Sequence, residues 1–121
     1  MHAVGIQEAA QQTGMTAHTL RYYERIGLIV DLERDEAGHR RFSDENLRWL
    51  VFLTKLRRTG MHIRQMVRYA ELLREGSHTA AARAQLLEDH RDEVLERIAE
   101  LQSHLGVLDA KIQMYRTGAL T

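Results

Sequence analysis

A heptad repeat in the C-terminal third of the sequence constrains the fold more than any other feature. One series recurs every seven positions at Leu87, Val94, Leu101, Leu108 and Tyr115. A second series, offset by three or four positions, runs through Ala84, Arg91, Ile98, Leu105 and Ile112. Apart from the arginine, these are the apolar a and d positions of a coiled coil sustained over more than four heptads. The pattern predicts one long helix, from about residue 79 to residue 115.

A helix of this length cannot bury its apolar stripe alone, so the repeat also predicts a second chain as partner. We expect dimerisation through Leu87, Val94, Ile98, Leu101, Leu105, Leu108, Ile112 and Tyr115. Packing back onto the preceding helices is the alternative for the first turns of this helix.

The residues before the repeat predict four shorter helices, at about 6–13, 16–26, 43–59 and 62–75. The sequence contains no proline, which favours continuous helices because proline removes a backbone donor. Gly14 suits the end of the first helix, and Thr16 and Ser43 suit the starts of the second and third. Two short helices joined by a turn that contains glycine form the helix-turn-helix pattern.

The second helix carries a basic and aromatic stripe. Positions i, i+3, i+4 and i+7 hold His18, Arg21, Tyr22 and Arg25, which share one face. Arginine binds phosphates and guanine edges, and a tyrosine hydroxyl binds phosphate. This face predicts a DNA-recognition helix, with an ordinary solvent-exposed face as the alternative.

The segment after this helix predicts a β-hairpin, in which residues 28–32 pair with residues 39–42 around a turn near Gly38. The turn is followed by His39, Arg40 and Arg41. Such a hairpin, directly after a recognition helix, is typical of a wing that lies along the DNA backbone. A plain surface hairpin is the alternative.

The formal net charge is zero, but the charges are unevenly distributed. Residues 37–68 hold eight basic and two acidic residues, a net charge of +6, whereas the segments on either side each carry −3. The turn from Arg57 to Arg64 is basic on both sides and presents a helix N-terminus, whose free amides bind phosphate. This asymmetry suits a chain that contacts nucleic acid with one region and dimerises through another.

Together these motifs resemble the MerR family of transcriptional regulators. The resemblance rests on TLRYYERIGLI over residues 19–29, preceded by AAQQTGMTAHT and followed by GHRRFSDENLRWLVFLTKLRRTGM. The later stretch VRYAELLREGSHTAAARAQLLEDH is similar to the aldehyde-responsive AdhR/NmlR-like branch. The wing tyrosines of the family are replaced here by His39 and Phe42, so hydroxyl contacts from those positions are lost.

The resemblance implies a mainly α fold, with a winged helix-turn-helix domain over residues 1–76. A long dimerisation helix and a short tail would follow over residues 77–121, and the helix would pair in an antiparallel coiled coil. The homodimer would bind a palindromic promoter and bend and untwist its spacer, so that RNA polymerase engages both promoter elements. The expected DNA-binding residues are Thr16, His18, Arg21, Tyr22, Tyr23, Arg25, His39, Arg40, Arg41, Arg57, Arg58 and Arg64.

The sequence gives no signal for a sensor. It has no cysteine, and Lys55 stands where the aldehyde-responsive branch usually carries one. Lys55 as a Schiff-base sensor would need burial to lower its pKa, and a surface lysine is the favoured alternative. His90 and His104 lie 14 residues apart, and no nearby carboxylate cluster has an obvious metal-ligand spacing. We also expect no large drug-binding domain of the kind found in other members of the family. We therefore expect no metal and no cofactor, and the effector is unidentified.

Other function classes find little support. No nucleophile–base pair, carboxylate pair or phosphate-cradling loop indicates an enzyme. No apolar run approaches the roughly 18 residues of a membrane span, and the N-terminus does not resemble a signal peptide, so we expect a cytoplasmic location without membrane contact. The alternatives to a promoter-binding regulator are an architectural DNA-binding protein and a coiled-coil interaction module without a sensing role.

Overall fold

The computed structural model describes residues 3–118, most of which are helical. The order of elements is β1 (Ala3–Val4), α1 (Ile6–Thr13), α2 (Ala17–Arg25), β2 (Glu33–Arg34), β3 (Arg40–Ser43), α3 (Asp44–Arg58), α4 (Ile63–Glu75) and α5 (Ala80–Arg116). A single 3₁₀ turn, Ser77–Thr79, precedes α5. The mainly α fold class, with a helix-turn-helix, wing strands and a long C-terminal helix, is confirmed.

Side-chain and glycine caps define the ends of the helix-turn-helix. Gly14 closes α1 in the left-handed conformation, with φ of 73°, and its amide donates to the carbonyl of Ala10. The Thr16 hydroxyl accepts from the amide of Thr19 at 3.0 Å and starts α2. α2 then turns Leu20 and Tyr23 into the core, which leaves its other face in solvent.

The wing hairpin differs from the predicted one. The strand that pairs with β3 is Glu33–Arg34, opposite Arg41 and Arg40, and residues 28–32 form no strand. The prediction for residues 28–32 was wrong because α3 and α4 satisfy this backbone with side chains instead. Trp49, Asn46 and Arg74 donate to the carbonyls of residues 28, 30 and 29 at 2.7, 3.0 and 3.2 Å.

Strand β3 lies in the middle of a three-stranded antiparallel sheet. Its other edge pairs with β1, with Val4 opposite Phe42, a pairing that the sequence did not predict. The wing turn is closed by Asp35, whose carboxylate accepts from the amides of Ala37 and His39 at 3.0 and 2.9 Å.

The core of the N-terminal unit is built mainly from α2, α3, α4 and the segment before the wing. Its largest fully buried side chains are Phe42, Leu20, Leu28, Leu50, Leu53, Met61 and Met66. Trp49 and Phe52 are half-buried at the edge of this core, and Trp49 stacks on Tyr69 with ring centroids 5.7 Å apart.

The described chain divides into two compact units, one ending at Gln85 and the other beginning at Leu86. The domain boundary at residue 76 stays a prediction; the first of these units includes the start of α5, up to Gln85. The reason is local: the Thr79 hydroxyl donates to the carbonyl of Leu72 at 2.7 Å, and Arg83 donates to that hydroxyl at 3.0 Å. Along residues 3–118, no helix is both long and apolar enough to cross a membrane.

Candidate nucleic-acid interface

The exposed face of α2 presents the basic and aromatic stripe. His18, Arg21, Tyr22 and Arg25 are all exposed. The guanidinium carbon of Arg25 lies 5.4 Å from the centre of the Tyr22 ring, a cation–π contact that orders both side chains. Thr16 is exposed at the start of the helix, but its hydroxyl is already engaged as the N-cap.

Tyr23 lies on the other side of α2 and is only 6% exposed. Burial raises the pKa of the Tyr23 hydroxyl, and the neighbouring Arg57 guanidinium lowers it in part. A direct DNA contact by Tyr23 stays a prediction, since most of this side chain belongs to the core. In the structure, the Tyr23 side chain connects α2 to Arg57 at the end of α3 through a hydrogen bond.

The three wing residues predicted together have different surroundings. His39 is exposed, and its Nδ1 lies 3.7 Å from the carboxylate of Asp35. Arg41 donates to the backbone carbonyl of Ala3 and so ties the wing strand to β1. Arg40 donates through Nε to Glu24 on α2, with both side chains about three-quarters buried.

Glu24 and Arg34 lie beside the candidate interface and are bonded to each other, although sequence reasoning did not select them. The Nη2 atom of Arg34 donates to both carboxylate oxygens of Glu24, at 3.0 and 3.2 Å. The available signal in the sequence was an acidic residue, Glu24, on the helix that precedes a hairpin with several arginines. It was missed because the pairing depends on the register of the hairpin.

The wing and the recognition helix share one surface groove. This groove, of about 530 Å³, is lined by Arg21 of α2, by His39–Arg41 of the wing and by residues 5–8 at the start of α1. The structure therefore brings together two of the three predicted parts of the interface, the recognition helix and the wing.

The basic turn that the sequence predicts to bind phosphate lies between α3 and α4. Arg57, Arg58 and Arg64 are exposed there, and Arg57 donates to the carbonyl of Met61 at 2.8 Å, which holds the turn. Gln65 and His62 form a capping box at the start of α4. Through Tyr23 and Arg57, this turn is connected to the recognition helix.

The apolar series of α5 is mostly exposed. Six of the eight predicted dimerisation residues are at least 45% exposed, and the highest of these is Leu101 at 67%. The six are Ile98, Leu101, Leu105, Leu108, Ile112 and Tyr115. Leu87 and Val94 are half-buried, and Leu95 and Val107 are also exposed.

The sensing hypotheses gain nothing from the structure. Lys55 is exposed on α3, so the burial that a Schiff-base sensor required is missing. Within residues 3–118, no three histidine, aspartate or glutamate side chains lie close enough together to hold a metal ion.

Comparisons with known proteins agree with this arrangement. Residues 5–84 match the family model described as MerR HTH family regulatory protein. The HTH-type transcriptional regulator AdhR of Bacillus subtilis is 39% identical over 93 residues, which cover 77% of this chain and 66% of AdhR.

Two solved structures match most of the chain. A MerR family transcriptional regulator from Listeria monocytogenes is 46% identical, with a TM-score of 0.91 over 95% of this chain and 87% of that one. HiNmlR, described as a MerR family regulator lacking the sensor domain and crystallised on promoter DNA, is 37% identical, with a TM-score of 0.87 over 96% of this chain and 92% of its own. The resemblance to the AdhR/NmlR-like branch is thereby confirmed, and this chain belongs to the MerR family of helix-turn-helix transcriptional regulators.

Proposed function

We propose that the chain is a promoter-binding regulator that acts as a homodimer. The observation that carries the proposal is the groove in which Arg21 of α2 meets residues 39–41 of the wing. HiNmlR, whose fold aligns along nearly the whole chain, was crystallised on promoter DNA, which supports a promoter-binding role for this chain.

Each part of the surface has a role that follows from its chemistry. α2 enters the major groove, where Arg21 and Arg25 reach base edges or phosphates and Tyr22 binds phosphate. The wing and the turn between α3 and α4 contact the backbone on either side, through His39, Arg40 and Arg58, among others.

The dimer sets the distance between two such surfaces. The exposed apolar residues of α5 pair with those of a second copy in an antiparallel coiled coil. The two recognition helices then read the halves of a palindromic site. Binding bends and untwists the promoter spacer, at a cost of a few kcal/mol that the protein contacts offset, and RNA polymerase then engages both promoter elements.

The test is a binding titration on duplexes selected from a random DNA library. We expect a specific complex whose affinity falls steeply as salt rises from 50 to 200 mM, by about 10³-fold or more for six phosphate contacts. A scrambled duplex is the control. Equal affinity for both duplexes would contradict sequence-specific regulation, and no binding to either would contradict a DNA-binding role.

A further inference from the structure

The carboxylate of Glu24 joins α2 to the wing through two arginines. One oxygen accepts from Nε of Arg40, and both oxygens accept from Nη2 of Arg34. The side chain of Glu24 is 24% exposed and that of Arg40 is 25% exposed. A charge pair at this depth is less screened by salt than a fully exposed one.

The outer part of the wing, residues 33–39, has few other contacts that fix its position. Its outer strand, β2, is two residues long, and residues 33–39 are all exposed. Arg34 compensates, because its Nη1 also donates to the carbonyl of Gly38 at 2.9 Å. One side chain thus connects the outer strand, the turn and the recognition helix.

The two arginines differ in what remains available to DNA. Arg34 uses both terminal nitrogens inside the protein. Arg40 is held at Nε, and its terminal nitrogens make no hydrogen bond within residues 3–118. Because a guanidinium carries five donors, Arg40 can stay bound to Glu24 while its outer edge binds a phosphate.

We propose that Glu24 is a positioning residue that docks the wing on the recognition helix through Arg34 and orients Arg40 toward the DNA backbone. Arg34 is then a brace rather than a phosphate contact. This inference rests on the proposed DNA-binding function and adds to it the residues that set the position of the wing.

The substitution Glu24→Gln distinguishes a bracing role of Glu24 from simple electrostatics, because the two predict opposite changes in DNA affinity. Removing a negative charge beside DNA weakens repulsion, so electrostatics alone predicts tighter binding. Loss of the brace leaves the wing to be ordered on binding, so our account predicts weaker binding by about fivefold to tenfold. Glu36→Gln is the matched control, since Glu36 is an exposed acid of the wing turn without an ion pair in the described part of the chain.

The experiment measures affinity on a selected duplex across a salt series. Arg34→Met should weaken binding, Glu24→Gln should weaken it at least as much because it also releases Arg40, and the double variant should be no weaker than Glu24→Gln alone. Arg34→Met should leave the slope of log affinity against log salt unchanged, whereas Arg40→Met should lower its magnitude by about 1. Thermal unfolding monitors folding, and Arg34→Lys, which keeps the charge, should fall between the wild type and Arg34→Met.

Hydroxyl-radical footprints distinguish positioning from general damage. In Glu24→Gln, protection should be lost at the flank covered by the wing and kept in the major groove covered by α2, while damage to the fold would remove both. Binding by Glu24→Gln as tight as or tighter than wild type, or a lowered salt slope for Arg34→Met, overturns the inference alone. Failure of the wild type to bind any selected duplex overturns the proposed function, and the inference with it.

Discussion

At the scale of single residues, the arginines of the interface differ in what their guanidinium groups already contact. Arg41 is bound to the carbonyl of Ala3, and Arg34 and Arg40 are bound to Glu24. Arg21 makes no ion pair within residues 3–118 and lies exposed on the recognition helix. Among these side chains, Arg21 is therefore the most available for direct contact with a base or phosphate.

Replacement of Arg21 should weaken specific binding without affecting assembly. We expect Arg21→Ala to weaken binding to a selected duplex by about tenfold or more, as loss of a bidentate base contact does. Anisotropy titrations measure the affinity, and light scattering checks the dimer. Arg68→Ala is the control, because Arg68 is exposed on α4 beside Glu71 and Glu75, away from the recognition helix in sequence. Equal losses in the two variants would contradict the assignment.

The wing turn should respond to acid through Asp35. The pKa of Asp35 lies below its usual value of 3.8 mainly because the amide of His39 donates a hydrogen bond to the carboxylate. The hydrogen bond from the amide of Ala37 lowers the pKa further. A lowered carboxyl pKa means that the turn is stabilised above pH 3.8 and loses that stabilisation as pH falls through the lower folded value.

The measurement for Asp35 is a pH titration of the Ala37 and His39 amide signals by NMR. Both should shift with a common inflection below 3.8, and Asp35→Asn should abolish that inflection. An inflection at or above the usual carboxyl value would mean that the turn does not favour the ionised carboxylate.

At the scale of elements, helix ends could be predicted and strand pairing could not. Thr16 and Ser43 are N-caps in the structure because their hydroxyls accept amides three residues later. That interaction is local, so the sequence contains it. Whether residues 28–32 form a strand depends on hydrogen bonds from Trp49 and Arg74, which lie 21 and 45 positions beyond the carbonyls they bind. Contacts at that separation leave no periodic signal.

The bond between Trp49 and Leu28 should be measurable in stability. Leu28 is fully buried, so Trp49→Phe leaves its carbonyl without the indole donor, at a cost of about 1–3 kcal/mol in the free energy of unfolding. Tyr69→Phe is the control, since it keeps the ring that stacks on Trp49 and removes only a hydroxyl, with an expected change below about 0.5 kcal/mol. Urea denaturation compares the two, and equal effects would contradict the role of the indole donor.

At the scale of the whole molecule, two surfaces differ in their chemistry. The N-terminal unit carries the arginines around α2, and α5 carries exposed apolar side chains along its length. The heptad repeat predicted the apolar surface of α5, because a period of seven residues can be read directly from the sequence. They did not predict Leu95 and Val107, which are exposed outside the two series.

Dimerisation should depend on the heptad positions and not on the helix as such. Leu101→Glu places a charge at the most exposed of the heptad leucines and should convert the dimer to monomer at micromolar concentration. Ser103→Glu adds the same charge two residues away, outside both series, and should leave the dimer intact. Analytical ultracentrifugation distinguishes these states. A dimeric Leu101→Glu variant would show that the apolar series is not the seam.

The central claim is that each protomer of a dimer offers one DNA-binding surface, formed by α2 and its two flanking basic elements. A nuclease footprint of the full chain on a selected duplex tests it most directly. The claim predicts two protected half-sites related by a dyad, with centres separated by about one helical turn of DNA or a multiple of it. A single protected site without dyad symmetry, or uniform protection of every sequence, would contradict it.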